Sequence, residues 1–148
     1  MSVSVTLNNV KLVRLIGQLG PNASAAVDET ARSIQELSRE IAPRRTGALS
    51  QSIYVSTPNE SDYGQHASAA SSLNPLAQIQ QEVTPHNAQY ITGPPPDTAY
   101  ADIVGVAVQY GLFNELGTRY MAPHPFLFPS IEPNKNTFIS SMSSIANV

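Results

Sequence analysis

Cysteine is absent from this 148-residue chain, which excludes disulfides and thiolate metal sites. No apolar run approaches the roughly 18 residues needed to span a bilayer. The opening "MSVSVTLNNVKLV" lacks a basic start followed by a long apolar stretch, so no secretory signal is expected. Tryptophan is missing and only 13% of the residues are charged, with a net charge of −3. Cations are also missing locally. Between Thr46 and Thr118 there is no Lys or Arg, whereas Glu60, Asp62, Glu82, Asp97, Asp102 and Glu115 all fall there. A one-signed middle of this kind reads as a solvated loop face, and it argues against a groove that grips phosphates.

The signatures of catalysis are missing too. Serine is abundant, yet no GxSxG elbow or SxxK pair occurs, and "GQLGPN" lacks the lysine and the preceding strand of a phosphate loop. His66, His86 and His124 have no ligand spacing and are expected to be exposed. The carboxylate pairs Glu60/Asp62 and Asp97/Asp102 are expected on hydrated loops, where a pKa is hard to perturb. The expectation is a protein without catalytic, metal or cofactor residues.

What is present is a set of periodic segments. In "PNASAAVDETARSIQELSREIAP", Val27, Ala31, Ile34, Leu37 and Ile41 draw an apolar stripe down a helix. Pro21 or Asn22 can start it and Pro43 must end it, because proline pushes the preceding residue out of helical geometry. Upstream, Val10, Val13, Ile16 and Leu19 predict a shorter helix, so that the pair forms a helical hairpin closed at "GPN". Gly47 gives a turn, and "SIYVS" reads as a strand whose partner is "ADIVGVAVQ". Gly105 within that partner marks a bulge or a close backbone approach. Residues 59–98, with the triplet Pro94–Pro96, read as a long hairpin or loop that leaves the body, with "QYITG" as an additional short strand. Leu112, Phe113 and Leu116 suit a helical turn stopped by Gly117. Prolines hold "APHPFLFP" extended, Phe126, Leu127 and Phe128 dock on the core, and Phe138, Ile139, Met142 and Ile145 predict a final amphipathic helix. Together these give one α+β domain over 1–148: an N-terminal helical hairpin, a small antiparallel sheet with a long extended hairpin or loop, and a C-terminal helix.

Several residues admit two uses. Arg44 and Arg45 either meet the carbonyls that end the long helix and pair with Glu40, or make a charged contact with an acidic neighbouring chain. Glu115 and Arg119 form either a local ion pair, or a carboxylate accepting turn amides, or a polar joint between subunits. Phe126 is a core residue before it is an interface candidate.

Two stretches, "LSREIAPRRTGALSQSI" and "FNELGTRYMAPHPFLFPSI", resemble the paired signatures of the head–tail joining, or tail-completion, proteins of long-tailed double-stranded-DNA bacteriophages. The first resembles AP–x–x–TG–x–L–x–x–S–I and the second VEFGT…M–x–A–x–PFL–x–PA, in the family's order. The resemblance covers about residues 8–56 and 101–146. It carries over Pro43, Thr46, Gly47, Leu49, Ser52 and Ile53, then Glu115, Gly117, Thr118, Met121, Pro125, Phe126, Leu127 and Pro129. Leu116 stands where the family has an aromatic and Ser130 where it has alanine, and the 59–98 insertion exceeds the family's hairpin.

The resemblance implies a non-catalytic virion protein, assembled in the host cytoplasm. Its copies would form a homo-oligomeric ring of six, or else twelve, between the head-side connector or head-closure protein and the tail terminator or tail tube. DNA would pass non-specifically along the axis. If the cation-free middle faces the lumen, Glu60, Asp62 and Glu82 are the candidate lumen acids; otherwise the long loop runs along the outside and clasps an adjacent ring or tail protein. The alternatives are a tail terminator capping the tube and, from another class, a nucleic-acid-binding module, which the acidic balance and the missing basic stripe disfavour.

Overall fold

The computed structural model describes residues 2–3, 21–44, 46–85 and 101–146. In chain order these form β1 (Ser2–Val3), α1 (Pro21–Ile41), α2 (Ala48–Gln51), β2 (Ile53–Ser56), α3 (Tyr63–Leu73), β3 (Ile103–Val106), α4 (Tyr110–Leu116) and α5 (Phe128–Ala146). The expected first helix, the strand "QYITG", Arg45, His86, Asp97 and the proline triplet lie outside the described residues. The α+β class holds: helices surround a small antiparallel sheet.

α1 starts at Pro21 and stops two residues before Pro43, as the proline rules require. Its buried row is Ala23, Ala26, Val27, Thr30, Ala31, Ile34, Gln35 and Ser38, stepping alternately by three and one. This row departs from the apolar stripe at its C-terminal end. Leu37 is half-buried and Ile41 is 40% exposed, because the polar Gln35 and Ser38 take the inward positions. Both are satisfied there: Gln35 Nε2 donates to the Ile53 carbonyl at 2.9 Å, and Ser38 Oγ meets Ser130 Oγ at 2.7 Å.

The sheet has the order β1-β3-β2, antiparallel throughout. The pairing of β2 with β3 is the one the sequence predicts, whereas β1, opposite Gly105 and Val104, is an addition. Ile53, Val55, Val104 and Val106 point to the main core, where they meet Ala31, Ile34, Leu49, Phe126 and Leu127. On the opposite face Tyr54 lies across Gly105, its register partner, and a Cβ there would sit 2.5 Å from the Tyr54 ring. Gly105 therefore marks a close approach.

Residues 61–85 do not leave the body, and this corrects the reading of an outward hairpin. Residues 63–73 form α3, which packs on α2 and β2 through the buried His66 and Ala70. The chain then returns beside the sheet: Gln80 N donates to Ala107 O, Gln109 N to Gln78 O, and Val83 N to the Tyr54 hydroxyl. Tyr63 crosses Tyr54 edge-on at 5.1 Å and donates to the Gln80 carbonyl. Backbone and aromatic bonds thus close the described part of the insertion onto the domain.

α5 runs antiparallel to α1. Phe138 and Met142 pack on Ala23, Ala26 and Val27 at one end, and Ser130 meets Ser38 at the other. The helix begins earlier than the extended "APHPFLFP" reading allows. Pro129 falls in its first turn, where proline needs no hydrogen-bond donor. Among the described residues no helix is long and apolar enough to cross a membrane.

Candidate functional site

The first signature is a cap on the C-terminal end of α1. Arg44 Nη2 and Ser50 Oγ both donate to the Arg39 carbonyl, at 3.2 and 3.1 Å. Thr46 Oγ1 accepts from the Ala48 amide, and Gly47 turns the chain at φ +82°. Arg44 therefore meets a terminal carbonyl as one of its two readings requires, and it keeps an exposed side chain.

The second signature is built around one buried carboxylate. Glu115, 3% exposed, accepts from the amides of Phe126 (2.8 Å), Leu127 (3.0 Å) and Phe128 (3.0 Å). α5 has no acidic residue in its own first turn, so Glu115 supplies the anion its N-terminus calls for. Gly117, at φ +75°, ends α4 with its N–H on Phe113 O, and Pro123 lies where a Cβ would go. The Thr118 backbone exchanges bonds with Met121, its Oγ1 accepts from Tyr120 N, and His124 N returns to Asn114 O.

These contacts correct two interface candidates. Glu115 joins α4 to α5 inside the subunit, so it is the reading of a carboxylate accepting amides that the structure realises. Phe126 is fully buried in the core. Arg119 remains outside, 5.7 Å above the Tyr120 ring, and Pro125 and Pro129 are exposed.

The two signatures meet. Pro43, Thr46, Gly47 and Leu49 form one wall of an open cleft of about 430 Å³. Tyr110, Asn114 and Met121 form the other, and Asn74 adds a polar edge at the end of α3. Beside the cleft the outer face of α4 carries Phe113 and Leu116, 43% and 53% exposed, followed by Tyr120 at 90%. Two of the three apolar residues that predicted this helix thus point away from the core, Leu112 is half-buried, and Gly111 and Glu115 face inward.

The acids of the middle segment are not equivalent. Asp62, expected on a hydrated loop, accepts from Arg32 Nη1 (2.6 Å), Gln35 Nε2 (3.3 Å) and the Val55 amide (2.7 Å). Burial alone would push its carboxyl up. The bonds from His66, Val55 and Gln35 outweigh it and hold the group well below the usual range. His66, expected to be exposed, is buried: Nδ1 meets the Gln51 carbonyl at 2.8 Å, and Nε2 lies 2.7 Å from Arg39 Nη2. The stretch without cations in sequence is thus supplied in space by Arg32 and Arg39 of α1, and Asp62, a candidate lumen acid, is paired with Arg32 within the subunit. Glu60, exposed, lies 3.7 Å from Arg32, and Glu82 accepts from Ser61 Oγ.

Asp102 also departs from the loop expectation. It is 4% exposed, with Oδ2 lacking a hydrogen-bond partner among the described residues. Burial first, then the hydrogen bond and charge of Asp28, push its carboxyl far above the ordinary range. The polar network escaped the sequence reading because its members lie about 30 residues apart. The available signal was Gln35 standing one position after Ile34 on the buried side of α1.

Among the described residues no three His, Asp or Glu side chains gather as a metal-binding set. No family model matches the chain, and no curated protein or solved structure matches it.

Proposed function

We propose that this chain is a structural virion protein, a ring-forming neck subunit that joins the capsid connector to the tail and lets DNA pass through. The observation that carries the reading is the convergence of two signatures, distant in sequence, on one surface cleft bordered by exposed apolar side chains. Around that cleft the chemistry of each signature is spent on shape. Gly47 and Gly117 set turns, and Glu115 fixes the start of α5. Exposed apolar surface beside a cleft suits a subunit whose neighbours cover it.

In this reading six copies, or twelve, surround an axial channel between the head-closure protein and the tail terminator or tube. Negative-stain images of the purified chain test it: closed rings with a central opening are expected, and a monomer at every concentration would contradict it. Titration with duplex DNA separates the alternative class. A nucleic-acid-binding module would bind with an affinity falling steeply as salt rises, whereas a passive channel subunit shows no binding at physiological salt.

A further inference from the structure

Among the described residues the exposed cations are Arg44, Arg119 and Lys135, and the first two flank the cleft. Arg44 follows the wall residue Pro43, and Arg119 lies two positions before the wall residue Met121. The cleft thus mixes apolar with uncharged polar side chains, and an exposed arginine adjoins each wall in sequence. α1 presents the opposite character. Glu29, Glu36 and Glu40 are exposed and spaced seven and four apart, which places them in one row along roughly 16 Å of helix. None of the three is in an ion pair among the described residues. The other side of the same helix is covered by α5, β2 and α2, so the row faces out of the subunit.

We infer that the cleft of one copy receives the acidic row of α1 from a second copy, Arg44 and Arg119 facing Glu29, Glu36 and Glu40. The inference rests on the ring reading and names the contact that would build the ring. The cleft wall that carries Arg119 and the row on α1 belong to different elements, with Arg44 at the end of α1 adjoining both, so the contact is head-to-tail, the kind that repeats around an axis and closes. Apolar burial at Phe113, Tyr120 and Met121 supplies attraction, and the complementary charges set register and choice of partner.

A charge-swap experiment tests this, with assembly followed by mass photometry and light scattering at low salt. Arg119→Glu and Glu36→Arg are each expected to raise the concentration needed for assembly by about tenfold or more, as like charges are brought together. Glu36 also lies beside the charge of Arg39, so circular dichroism melts of each variant, and the rescue below, separate loss of contact from loss of fold. An equimolar mixture of the two variants, and the double variant alone, should assemble as the wild type does, since position 119 of one copy again meets a charge of opposite sign at position 36 of the next. Single variants that assemble like the wild type overturn the inference, leave the ring reading intact, and assign the cleft to a different polypeptide. Single variants that fail without rescue by mixture or double substitution also overturn it. A wild-type chain that stays monomeric removes the ring reading itself.

Discussion

Glu115 shows how one side chain can carry a signature. Its two oxygens take three amides at the N-terminus of α5, in a site from which water is excluded. Hydrogen bonds to a charged group contribute roughly 1.5–3 kcal/mol each in favourable cases, and truncation would leave the amides unpaired. Glu115→Ala is expected to destabilise the fold by about 2–4 kcal/mol in urea unfolding, and Glu115→Gln by less, since an amide oxygen still accepts. An Ala variant as stable as the wild type would contradict this role.

Asp62 and Asp102 give opposite pH dependences. The folded pKa of Asp62 is lowered, so its contribution is complete above the ordinary value of 3.8 and is lost as pH falls toward the depressed one. The folded pKa of Asp102 is raised to about 8, so the fold favours its protonated form. Stability from this group is present below 3.8 and falls away as pH rises toward 8. Stability should therefore peak in mildly acidic solution. Asp102→Asn should stabilise at pH 8 by about 1–3 kcal/mol, the usual cost of an uncompensated buried polar group, and by less at pH 5, where the penalty has only begun to grow. An equal effect at both pH values would show that Asp102 is ionised throughout.

At the scale of elements, legibility followed periodicity. α1 and α5 were readable because apolar residues recur at helical spacing, and the β2–β3 pair because β-branched residues cluster between turn signals. The C-terminal half of α1 was misplaced by one position: Leu37 and Ile41 look like core, yet Ser38 and Gln35 have the inward partners. α3 was missed because "YGQHASAASSL" carries few large apolar residues and begins with a glycine in its first turn. What holds it is tertiary, through His66, Ala70 and Tyr63, and no local pattern announces that. The cleft was legible as two motifs, while their meeting depended on packing of segments more than 60 residues apart.

Two glycine substitutions test this account of the elements. A Cβ at Gly64 meets nothing within 4 Å, so Gly64→Ala should stabilise α3 by about 0.5–1 kcal/mol through lost freedom in the unfolded chain. Gly105→Ala would drive a methyl into the Tyr54 ring at 2.5 Å, and about 1–3 kcal/mol of destabilisation is expected from overpacking. Thermal melts of the pair should move in opposite directions. A neutral Gly105→Ala would mean that Tyr54 is free to swing away.

For the whole molecule, the placement of charge matters more than its total. Arg32 and Arg39 are spent inside the fold on Asp62, His66 and the start of β2. Of the exposed cations beside the cleft, Arg44 sits at the C-terminal end of α1, whereas Arg119, after α4, lies on a different element from the acids of α1. A monomer gains nothing evident from such a separation, whereas a subunit that meets its own copy gains specificity. The most direct measurement is the position of this chain in tail-bearing phage particles, by electron microscopy of particles labelled on it. The account predicts label confined to the joint between head and tail, at a collar with rotational symmetry. Label along the tail tube, or particles that lack the chain altogether, would contradict it.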